Sequence, residues 1–285
     1  MVRGNYVHDL IMGIDDSPGV DPNLVGGAEG IFINASNCEV SYNVFVNCEG
    51  PADWVGSNGE CDGGATEVSA ASGGTIENVH VHHNFSYNNC GFFEVASFFG
   101  DEGKGLFKDS TFHNNVIVDS AWMGLLQVNN TDLENIHFYN NTLIQHPGSL
   151  NEGILWIIFT AESSGMEGGE LVPGTVHLTN NIFVLDSNTS LGQLIDPAFD
   201  TNNNIVVMYS DPDNVDLGFA NIAGIGASDF DLVNADSPAV DAGADIAENT
   251  RDFFNRTRPI DSAPDIGAME FGSLQAECIP RFPDP

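Results

Sequence analysis

Positive charge is nearly missing from this chain: 7 Lys and Arg stand against 41 Asp and Glu in 285 residues, a formal net charge of −34. Seven scattered cations cannot build a basic patch, which argues against nucleic acid and anionic membrane surfaces as partners. Self-repulsion on this scale favours solubility and suits a salt- or cation-rich medium that screens it. Long apolar runs are missing too. None approaches the roughly 20 residues of a membrane span, so no membrane insertion is expected. The cysteines Cys38, Cys48, Cys61, Cys90 and Cys278 contain no Cys-x-x-Cys and stand far from the histidines in sequence, so no zinc pattern forms. One disulfide among Cys48, Cys61 and Cys90 fits an oxidising compartment, and buried free thiols fit equally. The opening MVRGNYVHDL lacks the apolar stretch of a signal peptide and reads as the middle of a repeating unit, as in a mature or truncated chain. What is present is a foldable composition: 42% of the residues are hydrophobic, which a disordered acidic tail does not reach.

Self-similarity organises the rest. Six segments share one template, an alternating stretch, an Asn, then a short apolar run: CEVSYNVFV from Cys38, VHVHHNFSY from Val79, STFHNNVIV from Ser110, IHFYNNTLI from Ile136, VHLTNNIFV from Val176 and FDTNNNIVV from Phe199. The aligned asparagines are Asn43, Asn84, Asn115, Asn141, Asn181 and Asn204, with Asn5 as a seventh. Their separations run from 23 to 41 residues, as expected of a coil of about 22 residues carrying insertions on one side. After each Asn segment a second strand begins with Gly, at Gly30, Gly64, Gly91, Gly124, Gly153 and Gly192. Both strand types alternate apolar with other residues. An Asn at each corner tolerates the left-handed backbone of a tight bend, and stacked Asn amides can bond from coil to coil. The pattern specifies an all-β parallel solenoid of about seven to nine coils with long loop insertions. Residues 1–209 hold the coils, and residues 210–285 are expected to form the last coil or coils and a C-terminal closing segment of the same domain.

The stacked Asn-Asn coils, together with the tail SPAVDAG from Ser237 and RPIDSAPDIGAMEF from Arg258, resemble the secreted right-handed parallel β-helix, or pectate-lyase-like, superfamily. The resemblance spans nearly the whole chain. It implies a right-handed parallel β-helix and an extracellular or cell-surface location. Because this scaffold hosts lyases, hydrolases, epimerases and non-catalytic surface proteins alike, it leaves the chemistry open. In the tail, Arg258, Asp265 and Glu270 are expected to tie down the last coil rather than to meet a ligand.

Residues at equivalent positions of successive coils stack about 4.8 Å apart. Counted from each Gly, the second and fourth positions are mostly apolar and should point inward. The third then faces outward and reads Ile33, Glu67, Glu94, Gln127, Trp156 and Ile195. Two adjacent carboxylates repel, so one pKa rises or a cation binds between them. A Ca²⁺ held by Asp62, Glu67 and Glu94 would neutralise a uronate substrate, as in the resembled lyases. Alternatively, Glu67 and Glu94 would serve as general acid and base in glycoside hydrolysis. Gln127, Trp156 and Trp54 would then bind sugar, the aromatic faces by stacking. A lyase also needs a base, for which Lys104, Lys108 and His83 are the candidates. An ordinary solvated ladder fits the same pattern, and the two lysines also serve to offset Asp101, Glu102 and Asp109. A second outward ladder, four and two residues before each Asn, carries His80, His137 and His177, and His82 and His113. It reads as a polar strand face that could also hold a transition metal.

Two functions therefore fit. One is an extracellular carbohydrate-active protein, a polysaccharide lyase or glycoside hydrolase with Ca²⁺ and without an organic cofactor. The other is a non-catalytic surface, adhesion or filament-forming protein that associates end to end.

Overall fold

The computed structural model describes residues 1–11, 28–49, 63–69, 73–96, 105–120, 122–126, 131–147, 156–160, 172–186, 199–209 and 216–272. Within them the chain is all-β, with one short 3-10 turn at Ala227–Phe230. Three parallel sheets run side by side through the sequence. The first stacks Val2–Arg3, Glu39–Ser41, His80–His82, Gly105–His113, Thr131–Tyr139, Val176–Thr179 and Asp200–Asn202, with Thr75–Glu77 also pairing to Gly105–His113. The second stacks Tyr6–Ile11, Val44–Glu49, Phe85–Tyr87, Val116–Val118, Thr142–Ile144, Ile182–Leu185 and Ile205–Met208. The third stacks Ala28–Ile33, Gly63–Ser69, Gly91–Ala96, Trp122–Leu126 and Trp156–Thr160. Each strand pairs in parallel with the matching strand one repeat away, which is the stacked-coil arrangement read from the repeats.

The aligned asparagines form one continuous line at the corner between the first and second sheets. Each amide nitrogen donates to the oxygen of the next: Asn5 to Asn43, Asn43 to Asn84, Asn84 to Asn115, Asn115 to Asn141, Asn141 to Asn181 and Asn181 to Asn204, at 2.9–3.0 Å. The left-handed bend sits one residue earlier than expected. Tyr42, His83, Asn114, Asn140, Asn180 and Asn203 have φ between 51 and 56°, and Gly4 has 69°. The two jobs of the corner are thus divided. The first residue turns the backbone and points out, while the second turns its amide inward and fills the buried polar line.

Inside the coils, Val40, Val81, Phe112, Phe138 and Leu178 of the first sheet meet Phe45, Ile117, Leu143 and Phe183 of the second and Val68, Phe93, Val95 and Leu126 of the third. The second sheet is also covered on its outer side. Val44, Phe85, Val116, Val118, Ile144 and Ile182 pack there against Leu217, Phe230, Leu232, Phe253, Ile266 and Met269. That explains why its strands are apolar runs rather than alternations. The tail residues 216–272 therefore lie lengthwise over the second sheet.

The outward-pointing corner residues grip this strap. Asn114 donates to Asn249 Oδ1 and the Arg251 carbonyl, Asn140 to the Asp265 and Gly267 carbonyls, Asn180 to the Ala244 carbonyl and Asn203 to the Ala242 carbonyl. Within the strap, Arg258 is buried, donates to the carbonyls of Asp265 and Gly267, and lies 3.3 Å from Glu270. Glu270 in turn accepts from the backbone of Asp265 and Ile260. These contacts hold the tail segment to itself. Cys90 is disulfide-bonded, whereas Cys38 and Cys48 are free thiols. Cys61 and Cys278 lie outside the described residues.

Candidate functional site

The third sheet brings Glu67 and Glu94 side by side in adjacent rungs. They lie on the opposite strand face from Thr66, Val68, Phe93 and Val95, which point into the core. Neither carboxylate is solvated: Glu67 is 5% and Glu94 8% exposed. An ordinary solvated ladder does not describe this pair.

The rest of the expected ladder is out of register. Gly91 pairs with Trp122, Phe93 with Gly124 and Glu94 with Leu125, and Trp122 pairs in turn with Trp156. The line through the glutamates therefore reads Phe32, Glu67, Glu94, Leu125 and Phe159, and Trp156 stands level with Gly91 rather than with Glu94. Ile33 pairs with Val68 and also leaves the line. The reason is steric. A Cβ on Gly91 would collide with the Trp122 indole, so a glycine in this sheet makes room for a large neighbour instead of marking a common strand start. Gln127, Trp54, Asp62 and Lys104 lie outside the described residues.

Two further candidates belong elsewhere. Lys108 is on the first sheet, 3.0 Å from Glu77 and 3.6 Å from Asp109, so it offsets local carboxylates. His83 occupies the left-handed corner between the first and second sheets, 4% exposed, away from the glutamate strands. Its ring stacks on Tyr42 at 4.8 Å, and its Nδ1 lies 2.7 Å from Nδ1 of His82. That spacing admits one proton between the two nitrogens, so two imidazolium rings cannot coexist here. Burial, with repulsion from His82, holds His83 well below the usual imidazole range. His113, stacked on His82 at 4.8 Å, is held down in the same way. Burial also pulls His82 down to about 4, against the pull of Glu39. This cluster is a neutral packed unit under the strap.

An open concavity among the described residues lies on the first sheet. A cleft of about 600 Å³ is floored by the outward residues of successive rungs. One row holds His80, Thr111, His137 and His177, and the parallel row two residues on holds His113, Tyr139 and Thr179. The strap supplies one wall with Asp245–Glu248, and Asp109 and Asn135 form the other. His137 stacks on His177 at 4.5 Å and His113 on Tyr139 at 4.7 Å. The two histidine rows are the ones legible in the sequence. The wall was not, because nothing in the spacing of Asp245 and Glu248 says which sheet the strap crosses. Among the described residues, no group of three or more His, Cys, Asp or Glu is placed to hold a metal ion. No protein-family model matches the chain, and no curated protein matches it in sequence.

Proposed function

We propose that this chain is a right-handed parallel β-helix that acts outside the cell on a polysaccharide, with Glu67 and Glu94 as the reacting carboxyl groups. The observation that carries the reading is the placement of two glutamates in register on neighbouring rungs and withdrawn from water. Neighbouring rungs are about 4.8 Å apart, close to the roughly 5 Å between the carboxyl groups of a retaining glycosidase. A retaining glycosidase uses one carboxyl of such a pair as the acid and the other as the nucleophile. A Ca²⁺ held by Asp62, Glu67 and Glu94 would instead serve the lyase route. The disulfide at Cys90 supports an oxidising, extracellular setting.

The test is a screen of uronate-containing and neutral polysaccharides that follows reducing ends and the ultraviolet absorbance of unsaturated products together, in Ca²⁺ and in chelator. Glu94→Gln should remove cleavage by at least about 100-fold with the fold intact. A loss below about tenfold takes Glu94 out of the mechanism. If the parent protein cleaves nothing, the non-catalytic reading stands.

A further inference from the structure

We infer that the first-sheet cleft is a binding site for an uncharged oligosaccharide, separate from the glutamate pair and with its own recognition chemistry. It goes beyond the cleavage reading, since it concerns another sheet and requires no bond to break.

The hydrogen-bond network fixes which imidazole nitrogens face a ligand. Asn135 donates to Asp109 Oδ1, so its own oxygen accepts from Nε2 of His137, 2.7 Å away. His137 therefore carries its proton on Nε2 and presents Nδ1 as an acceptor. His177 directs Nδ1 at the Asp200 carboxylate at 3.2 Å and so presents Nε2 as an acceptor. These two acceptors come from adjacent rungs. On the neighbouring row stand the hydroxyls of Tyr139, which pairs with Thr111, and of Thr179, which can donate and accept. A series of acceptors and hydroxyls at rung spacing matches a ligand with hydroxyl groups at regular intervals.

Charge then narrows the class. Asp109, Asp245 and Glu248 stand along the walls, and no Lys or Arg lines the cleft among the described residues. A uronate, phosphate or other anion would meet only carboxylates there and lose its hydration without a counter-charge. Burial holds His113 and His137 below the ordinary imidazole range, so these two rings offer an anion no positive charge near neutrality. The volume lies within the roughly 300–1,000 Å³ of small-ligand sites. The span from the His80 to the His177 rung is about 14 Å, three intervals of about 4.8 Å, enough for a short sugar chain.

The experiment is calorimetric titration near neutral pH of the Glu94→Gln protein, which cannot turn over a substrate by the proposed route. The probes are maltohexaose, cellohexaose and laminarihexaose, with hexagalacturonate as the anionic and hexalysine as the cationic comparison. At least one neutral hexasaccharide should bind. His137→Ala and His177→Ala should each weaken it at least about tenfold. Ala247→Trp, an exposed strap position facing the cleft, should block it without touching the sheet. Binding of hexagalacturonate or hexalysine alone, binding of no probe, or neutral binding that survives both His137→Ala and Ala247→Trp each overturns the site. A parent protein that cleaves nothing, but whose Glu94→Gln form binds a neutral hexasaccharide in this way, refutes the cleavage reading and leaves the cleft. Cleavage lost in Glu94→Gln, with binding indifferent to the cleft variants, refutes the cleft alone.

Discussion

The imidazole cluster beneath the strap makes the folded protein acid-sensitive, and His82 supplies a number. Its ordinary value is 6.5 and burial lowers it to about 4 in the fold, with His80 and Arg3 adding repulsion and Glu39 opposing. The unfolded chain then holds the proton more tightly than the folded one. The associated stability is complete above about pH 6.5 and is lost as pH falls towards 4. Between about pH 7.5 and pH 5 the loss is about 2 kcal/mol from this residue, at 1.36 kcal/mol per pKa unit. The 17% exposure of the side chain is low enough for most of that to survive screening. Glu270 works the other way. Burial raises its carboxyl to about 7, so the fold gains stability as pH falls through that value, and a single melting curve would mix the two. The assay is therefore a difference: urea unfolding of the parent and of His82→Gln at both pH values, in which common titrations cancel. The parent should lose about 2 kcal/mol more than the variant on acidification. A difference that stays flat, or an NMR titration placing the His82 ring near 6.5, refutes the argument.

Three further outcomes follow from the packing. Asn115 accepts from the backbone and amide of Asn84 and donates to the Val81 carbonyl and Asn141. Asn115→Ala should therefore cost about 3–5 kcal/mol in urea unfolding, and Asn5→Ala, at the end of the line, less than about 1 kcal/mol. Gly91→Ala must displace the Trp122 indole, so it should destabilise by about 1–3 kcal/mol and shift the tryptophan fluorescence. Arg258→Met leaves buried Glu270 without its cation and the Asp265 and Gly267 carbonyls without their donor, and a loss of about 3–5 kcal/mol is expected.

The coil architecture was legible because the line through Asn5, Asn43, Asn84, Asn115, Asn141, Asn181 and Asn204 repeats with one fixed local pattern, whatever the loop length between members. The doublets Asn114-Asn115, Asn140-Asn141, Asn180-Asn181 and Asn203-Asn204 carried a further message that composition does not reveal. The first member of each binds the strap, whereas Tyr42 and His83 hold that place in the two preceding repeats. The third sheet misled at Gly124 because register there is set by which side chain fits against which void. Gly124, which matches Gly91 in the repeat pattern, pairs instead with Phe93. The glutamate pair survived that error because Gly64 and Gly91 do share a rung. The cleft did not emerge from the sequence because its second wall comes from residues 245–248, whose position depends on contacts made by Asn180 and Asn203 far upstream.

The corner line of amides also has a direction. Every Asn gives its Nδ2 hydrogen to the following repeat and offers its oxygen to the preceding one, so the amide dipoles point the same way along the axis and polarise one another. The two ends of the described stack are consequently unlike: Asn5 turns an oxygen outward, and Asn204 an N–H. A rung added before Asn5 must bring an N–H, and a rung added after Asn204 must bring an oxygen. Two copies meeting through like ends would set oxygen against oxygen or hydrogen against hydrogen, so any continuation of the line is head to tail.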